Sequence, residues 1–84
     1  MDWDKYGFVS ASKYRKKVVL ALQKKPKTPK EIEEEVGYHL SHVSNTLGEL
    51  SDEGIVRCLT EKRSKGRVYG LTKLGEEIAQ QLVK

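Results

Sequence analysis

Apolar residues recur with helical spacing in four segments of the chain. The first predicted helix runs through "ASKYRKKVVLALQKK", with Ser10 as its N-cap, and "KPKTP" ends it. One face of this helix carries the apolar residues Tyr14, Val18, Ala21 and Leu22. The segment ahead of it, "MDWDKYGFVS", is predicted to have no fixed structure of its own.

The second and third helices are predicted to meet at a short turn. Thr28 and Glu31 have the spacing of a capping box, and Pro29 falls at the first helical position, where its missing N–H costs nothing. Gly37 has the position of the left-handed residue that ends the second helix. The third helix, over about 40–53, carries a single apolar stripe of Leu40, Val43, Leu47 and Leu50. Two helices joined by so few residues have the spacing of a helix-turn-helix.

Beyond Gly54 the apolar pattern changes from helical to β. The runs "IVRCLTE" (55–61) and "RVYGLT" (67–72) are rich in β-formers, and "KRSKG" between them predicts a hairpin whose tip uses Gly66 for its positive φ. Four cations lie at or beside that tip, namely Lys62, Arg63, Lys65 and Arg67. Thr72 then caps a last helix with apolar residues at Leu74, Ile78 and Leu82. The order of elements predicts an α+β fold, mostly α. A three-helix core is followed by a β-hairpin wing and a C-terminal helix, as in a winged helix-turn-helix.

The composition bounds the class of protein. With 84 residues, the chain predicts a single domain over 1–84, near the lower size for a self-sufficient core. No apolar run approaches the roughly 18 residues of a membrane span, and the acidic, aromatic N-terminus lacks the basic start of a signal peptide. The single cysteine, Cys58, excludes an internal disulfide and is typical of a reducing compartment. We therefore expect a soluble, cytoplasmic protein with no membrane partner.

Charge is distributed in blocks along the chain, and the blocks carry more information than the net charge of +4. Residues 1–30 carry a formal charge of +7, residues 31–53 carry −7 with no Lys or Arg, and residues 54–75 carry +5. Such blocks predict a polarised surface with basic patches that suit a polyanion. The well-solvated surface of a small domain is an equally open alternative.

Four blocks of the sequence, "SKYRKKVVLAL", "TPKEIEEEVG", "HVSNTLGELSDEGIV" and "GRVYGLTKLG", resemble the MarR- and ArsR-like winged helix-turn-helix regulators of archaea and bacteria. The resemblance covers nearly the whole chain, and its "VS..L.EL...GIV" and "Y.LT..G" signatures are fairly specific together. It implies a transcriptional regulator that binds double-stranded DNA, usually as a homodimer. The alternative function is that of a winged helix that serves as a protein–protein interaction module in a transcription-related complex. The uncharged third helix and the acidic 31–53 block are its best support.

In such a fold the third helix enters the major groove, and its first turns meet base edges. By position, the residues of this chain that would meet bases are Ser41, His42, Ser44 and Asn45. Asn45 can pair bidentately with adenine N6 and N7, although many relatives carry an Arg at this place after the "VS" pair. Without a cation the helix can specify a sequence but contributes little affinity, because affinity comes mainly from neutralised phosphates. The alternative is that these four residues form an ordinary solvated helix face.

Cations outside the third helix are predicted to hold the duplex. The wing (62–67) can neutralise phosphates or enter the minor groove through its Lys and Arg side chains. Thr28 and Lys30 lie at a helix N-terminus, where free backbone N–H groups suit a phosphate. The alternative for the wing is an ordinary exposed hairpin tip. The carboxylates within 49–53 would repel DNA, so the far end of the third helix is expected to leave the groove.

The sequence gives little support for a metal site or a catalytic site. His39, His42 and Cys58 are the candidate metal ligands, but a zinc site usually needs four ligands at motif spacing, and the two histidines project in different directions from the helix. The chain contains no nucleophile–base constellation and no Gly-rich phosphate loop. We therefore expect no metal, no cofactor and no catalysis.

Two features of the sequence concern assembly. Residues 18–22 are apolar all round, more than one core face requires, and Trp3, Tyr6 and Phe8 precede the first helix. The first and last helices, with these aromatic residues, are predicted to form a two-fold interface. A dimer of this kind would place two recognition helices about one DNA turn apart. The open alternative is that the aromatic side chains only cover the edge of the core.

Overall fold

The computed structural model describes residues Met1–Lys84. Its elements are α1 (Trp3–Ser10), α2 (Lys13–Lys24), α3 (Pro29–Val36), α4 (Leu40–Asp52), β1 (Val56–Cys58), β2 (Tyr69–Leu71) and α5 (Lys73–Leu82). The structure confirms an α+β fold, mostly α, with a helix-turn-helix at α3–α4 and a hairpin ahead of the last helix.

The N-terminal segment, which we expected to lack fixed structure, forms α1. Asp2 caps this helix, since its carboxylate accepts a hydrogen bond from the backbone N–H of Lys5 at 3.1 Å. Val9 is the one fully buried residue of α1, so the sequence shows little apolar periodicity there. Packing against α2 and α5 stabilises the helix instead, which sequence periodicity could not reveal.

α2 forms the centre of the molecule. Its N-cap is Ser12, whose hydroxyl accepts from the backbone N–H of Arg15 at 3.3 Å. The predicted Ser10 cap was wrong, because Ser10 is the last residue of α1. α2 packs against α1, α3, α4, α5 and β2, and this central position accounts for the run of apolar residues at 18–22.

The buried apolar residues form a single cluster with contributions from all five helices and from the start of the hairpin. Its members are Val9, Val18, Val19, Leu22, Ile32, Val43, Leu47, Leu50, Ile55, Val56, Ile78 and Ala79. The helices that carry the predicted site are therefore anchored on the same core as the hairpin.

The turn of the helix-turn-helix has the predicted local chemistry. Thr28 Oγ1 accepts from the backbone N–H of Glu31 at 3.1 Å, and the carboxylate of Glu31 accepts from the backbone N–H of Thr28 at 2.9 Å. These two bonds make up the capping box. Gly37 ends α3 with a φ of +77°, a left-handed conformation in which a side chain would be strained.

The buried stripe of α4 differs from the prediction at its first residue. Val43, Leu47 and Leu50 are buried as expected, but Leu40 is 42% exposed. The prediction of Leu40 as an inward residue was wrong, because the first turn of α4 reaches past the core to the base of the wing. Thr46 is also buried, and its hydroxyl donates to the carbonyl of His42 at 2.9 Å.

The hairpin is shorter than predicted but is tied to the helices. β1 and β2 pair antiparallel in the register Val56↔Leu71, Arg57↔Gly70 and Cys58↔Tyr69. Beyond Cys58 the backbone pairing continues with one hydrogen bond from the Leu59 N–H to the Val68 carbonyl at 2.7 Å. The Val68 N–H then donates to the Thr60 hydroxyl at 2.9 Å in place of a backbone carbonyl. Lys27, ahead of α3, exchanges two backbone hydrogen bonds with Tyr69 at 3.0 and 2.8 Å. This bridge holds the base of the wing beside the start of α3.

The last helix packs closely on the connection between α4 and the hairpin. Thr72 caps α5 as predicted, accepting from the backbone N–H of Gly75 at 3.1 Å. A Cβ at Gly75 would collide with the carbonyl oxygen of Ile55, so this contact requires glycine. All five helices are too short or too polar to span a membrane.

Candidate nucleic-acid interface

The first two turns of α4, residues 40–45, contain the residues that the sequence predicts to meet bases, and we call them the reading end. Ser41, Ser44 and Asn45 are exposed there. Their hydroxyl and amide groups can both donate and accept hydrogen bonds, as base edges require. The reading end carries no Lys, Arg, Asp or Glu, so its face is polar without formal charge.

His42 differs from the other three predicted base contacts, because its side chain is half-buried. Its ring centroid lies 4.0 Å from that of Tyr14 on α2 and 5.8 Å from that of Tyr38 in the turn before α4. The rings of Tyr14 and Tyr38 themselves meet edge-on at 4.6 Å. His42 is therefore held in an aromatic cluster at the side of the reading end, and only part of its ring faces solvent.

The N-terminus of α3 offers fewer free backbone N–H groups than the sequence suggested. The capping box uses the backbone N–H groups of Thr28 and Glu31, and Pro29 has none. In the first turn the Lys30 N–H is left available for an anion. The hydrogen bond from the Thr28 backbone lowers the pKa of Glu31, so its carboxylate stays charged beside this site.

The side chain of Lys30 is exposed but already engaged. Its Nζ donates to Glu33 Oε1 at 2.9 Å. This hydrogen bond raises the pKa of Lys30 and lowers that of Glu33, so both groups remain charged around neutrality. A phosphate at this place would have to compete with Glu33 for the ammonium group.

The wing presents four cations that are free of carboxylate partners. Lys62, Arg63, Lys65 and Arg67 are all exposed. None of them takes part in the ion pairs of the chain. Within the wing, Arg67 Nε donates to the carbonyl of Arg63 at 2.7 Å, and Gly66 turns the chain with a φ of +63°. The tip can therefore offer its positive charge to an external anion.

An open groove joins the wing, the start of α3 and the start of α4, and we call it the wing groove. Its volume is about 330 Å³, and its lining residues are Thr28, Pro29, Lys30, Leu40, Ser64, Gly66, Arg67 and Tyr69. Three of the predicted DNA-contacting residues, Thr28, Lys30 and Arg67, thus lie around one groove beside the reading end. The wing and the first turn of α4 therefore border the same groove.

Two cations that the sequence did not single out lie on the other flank of the reading end. Lys13 Nζ is 5.6 Å from the ring centroid of Tyr14, and Lys17 Nζ is 5.7 Å from that of Tyr38. Both rings pack beside His42, which points away from Leu40 because residues two apart on a helix differ by about 200°. The reading end therefore lies between these lysines and the wing groove. No local signal could have shown this, since it depends on how α2 packs against α4.

The far end of α4, residues 49–53, is acidic and faces cations of the chain itself, and we call it the acidic end. Arg15 Nη2 lies 3.5 Å from Glu49, and Lys5 Nζ donates to Glu53 at 2.6 Å. The hydrogen bond that Lys5 donates to Glu53 raises the pKa of Lys5. These pairs tie the acidic end to α1 and α2, and they are directed away from the reading end along the helix.

The candidate metal ligands do not come together. His39 is the N-cap residue of α4, His42 packs on Tyr14, and Cys58 Sγ lies 4.0 Å from the Thr60 hydroxyl. No group of three His, Cys, Asp or Glu side chains is close enough to hold one metal ion.

Comparison with known proteins identifies the fold. The sequence matches no protein-family model and no curated protein. The transcriptional repressor BigR from Xylella fastidiosa is similar in structure, with a TM-score of 0.74 and 23% identity over 98% of this chain and 77% of BigR. A double mutant of ZitR from Lactococcus lactis is similar with a TM-score of 0.77 and 14% identity over 86% of this chain. The match spans half the length of ZitR. These similarities confirm the winged helix-turn-helix fold.

Proposed function

We propose that this winged helix-turn-helix chain is a cytoplasmic regulator of transcription that binds double-stranded DNA in a sequence-specific manner. One observation carries the proposal: the uncharged reading end lies between the wing groove on one flank and Lys13 and Lys17 on the other. A polar probe with cations on both sides suits a duplex, whose base edges lie between two phosphate backbones. The structural similarity to BigR, a transcriptional repressor, also supports the proposal.

In the proposed complex, affinity comes from the cations. Lys62, Arg63, Lys65 and Arg67 of the wing neutralise phosphates or enter the minor groove, while Lys13 and Lys17 reach the opposite backbone. Thr28 and Lys30 add a weaker contact, because most of the N–H groups there are used within the helix and Glu33 holds the Lys30 ammonium group.

Specificity in the proposed complex comes from the reading end. Asn45 is exposed and can bind adenine N6 and N7 together, while Ser41 and Ser44 can donate to or accept from base edges. His42 contributes only through the part of its ring that is exposed, and its packing on Tyr14 fixes the direction of that edge. The proposal requires no cofactor and assigns no catalysis.

We also propose that the functional unit is a homodimer. The first helix of the sequence prediction is α2, which lies at the centre of the molecule, so the proposed interface uses α1, which carries the aromatic residues, together with α5. Tyr6 and Phe8 pack against the core, as the simpler interpretation of the aromatic residues expected. Trp3 and Val83, however, are 61% and 60% exposed on the first and last helical segments, which pack against each other. Two such surfaces in contact would bury this apolar area. Analytical ultracentrifugation tests the assembly, and a clean monomer at tens of micromolar would contradict it.

The salt dependence of binding tests the proposed function. Duplex fragments are first selected with the protein from a genomic pool, and their affinity is then measured across a salt series. The logarithm of the binding constant should fall with slope of about −0.9 per neutralised phosphate. Changing Arg63 and Lys65 together to Ala should reduce the slope by about 2, whereas changing Lys73 and Lys84 of the last helical segment to Ala should leave it unchanged. No binding at low salt would refute the proposal and favour a protein partner.

A further inference from the structure

Leu40 is the residue of the reading end whose exposure the core does not explain. The other apolar residues of the same stripe, Val43, Leu47 and Leu50, are at most 2% exposed, whereas Leu40 is 42% exposed. The other exposed large apolar side chains are Met1, Trp3, Leu59 and Val83, and none of these lies on α4. Leu40 is thus a single apolar side chain on a face that is otherwise polar.

The surroundings of Leu40 are those of a nucleic-acid contact rather than of a core edge. It lines the wing groove together with Thr28, Lys30, Ser64 and Arg67. The cations Lys30 and Arg67 can hold phosphates at the rim of this groove, and the first turn of α4 is the part of a recognition helix that approaches base edges. Leu40 lies where the wing groove meets the reading end and shares a helix face with Ser44, so an apolar group there can reach the base pairs next to those that Ser44 meets.

The major groove offers an isobutyl side chain one distinctive apolar group, which is the C5 methyl of thymine. The other edges that proteins recognise there are hydrogen-bond donors and acceptors, and a leucine side chain cannot satisfy either. Contact between Leu40 and a thymine methyl removes apolar surface of both from water. From this chemistry we propose that Leu40 is a specificity-determining residue that recognises a thymine through its methyl group. The inference rests on the proposed function.

The helix geometry also limits where this thymine lies. Leu40 and Ser44 are four residues apart, so they share a face and are separated by about 6 Å along the helix. Base pairs follow one another at about 3.4 Å. The thymine should therefore lie within about two base pairs of the base that Ser44 contacts, on the side toward the wing.

Replacing thymine by deoxyuridine tests the inference, because this change removes the methyl group and nothing else. Each thymine of a selected duplex is replaced in turn, and binding is measured for the unmodified chain and for Leu40→Ala. We expect one replacement to weaken binding of the unmodified chain by about fourfold, the loss expected for one methyl-sized group. The same replacement should not affect Leu40→Ala. Leu40→Met should still lose affinity when this thymine is replaced by deoxyuridine. Val83→Ala is the control, a change at an exposed apolar residue away from α4, and its loss of affinity should equal that of the unmodified chain.

The possible outcomes separate this inference from the proposed function. If the unmodified chain binds no duplex, the proposed function fails and the role of Leu40 fails with it. A second outcome is that the unmodified chain binds its selected duplex, with every deoxyuridine replacement changing the affinity of the unmodified chain and of Leu40→Ala by the same factor. In that case only the role of Leu40 is refuted. An equal loss of affinity by Leu40→Ala on all duplexes would also refute it. Thermal unfolding of Leu40→Ala checks that the variant is folded.

Discussion

The two ends of α4 lie on one helix but have opposite electrostatic surroundings. At the reading end the exposed side chains are uncharged, and the nearby cations Lys13, Lys17 and Arg67 have no carboxylate partner. At the acidic end Glu49 and Glu53 are paired with Arg15 and Lys5. One end is thus left open to an external anion, while the charges of the other end are mostly satisfied within the chain.

The dipole of α4 acts on charges at its two ends in opposite ways. Negative charge is unfavourable at the C-terminal end of a helix, whereas in the proposed complex the positive N-terminal end of α4 is directed toward the duplex. Cations of α1 and α2 offset the unfavourable carboxylates, so the acidic end need not weaken the attraction of a duplex to the rest of the surface. The comparison predicts that charge added at one end of α4 has a much larger effect than the same charge added at the other.

Truncating Leu47, the buried side chain that anchors both ends of α4 on the core, should produce the largest effect on stability. Leu47 is buried beneath the middle of α4, so Leu47→Ala should lower the free energy of unfolding by about 2–5 kcal/mol through lost burial and a residual cavity. Leu40→Ala is the matched control from the same stripe, and we expect a loss of under about 1 kcal/mol because Leu40 is largely exposed. Urea unfolding measures both, and equal losses would show that Leu40 belongs to the core.

A pair of serines compares the two ends directly. Ser44 and Ser51 are both exposed and lie seven residues apart, so they share one face of α4 with one at each end. Ser44→Asp should weaken duplex binding by about tenfold or more, since like charges placed against each other at an interface are strongly repelled. Ser51→Asp should change affinity by less than about twofold if the acidic end leaves the groove. Equal losses of affinity in the two variants would contradict the proposed difference between the reading end and the acidic end.

A change at the reading end should affect specificity more than general affinity. Asn45→Ala should relax base preference at one position of the bound site, with a loss of about 1–3 kcal/mol of discrimination. Binding to unrelated duplexes should be nearly unchanged, because phosphate contacts are retained. Competition binding with single-base variants of the selected site measures this effect. An equal loss on all sequences would show that Asn45 is a phosphate contact or a structural residue.

The smallest effect is expected at the flank of the reading end. The hydroxyl of Tyr38 is buried and has no hydrogen-bond partner. Tyr38→Phe removes this unsatisfied group and keeps the ring that packs on His42, so stability should be unchanged or rise by up to about 1 kcal/mol. Thermal unfolding tests the prediction. A clear loss of stability would mean that the hydroxyl has a partner, and that the cluster beside His42 is more polar than its contacts indicate.

The features that the sequence predicted correctly are those fixed by local chemistry. The capping box at Thr28 and the glycines at 37 and 66 were identified, since each depends on residues within a few positions of one another. The N-cap at Thr72 is of the same kind. Local signals were therefore sufficient to predict the fold and the order of its elements from α2 onward.

The features that the sequence missed depend on packing between distant segments. α1 has one fully buried residue, so it lacks the periodicity by which a helix is recognised. The place of Leu40 in the wing groove depends on the position of the wing, whose base the Lys27–Tyr69 bridge holds beside α3. The place of Lys13 and Lys17 beside α4 likewise follows from the packing of two tyrosine rings. None of these contacts joins residues close enough in sequence to leave a pattern.

Backbone amide chemical shifts during titration with a selected duplex test the account most directly. The isotopically labelled chain is titrated at low salt, and every residue reports separately whether its surroundings change. The account predicts that the largest shifts fall at residues 40–45 and 62–67, with small shifts at 49–53. Largest shifts at the acidic end, or on α1 and α5 with none at the reading end, would contradict it.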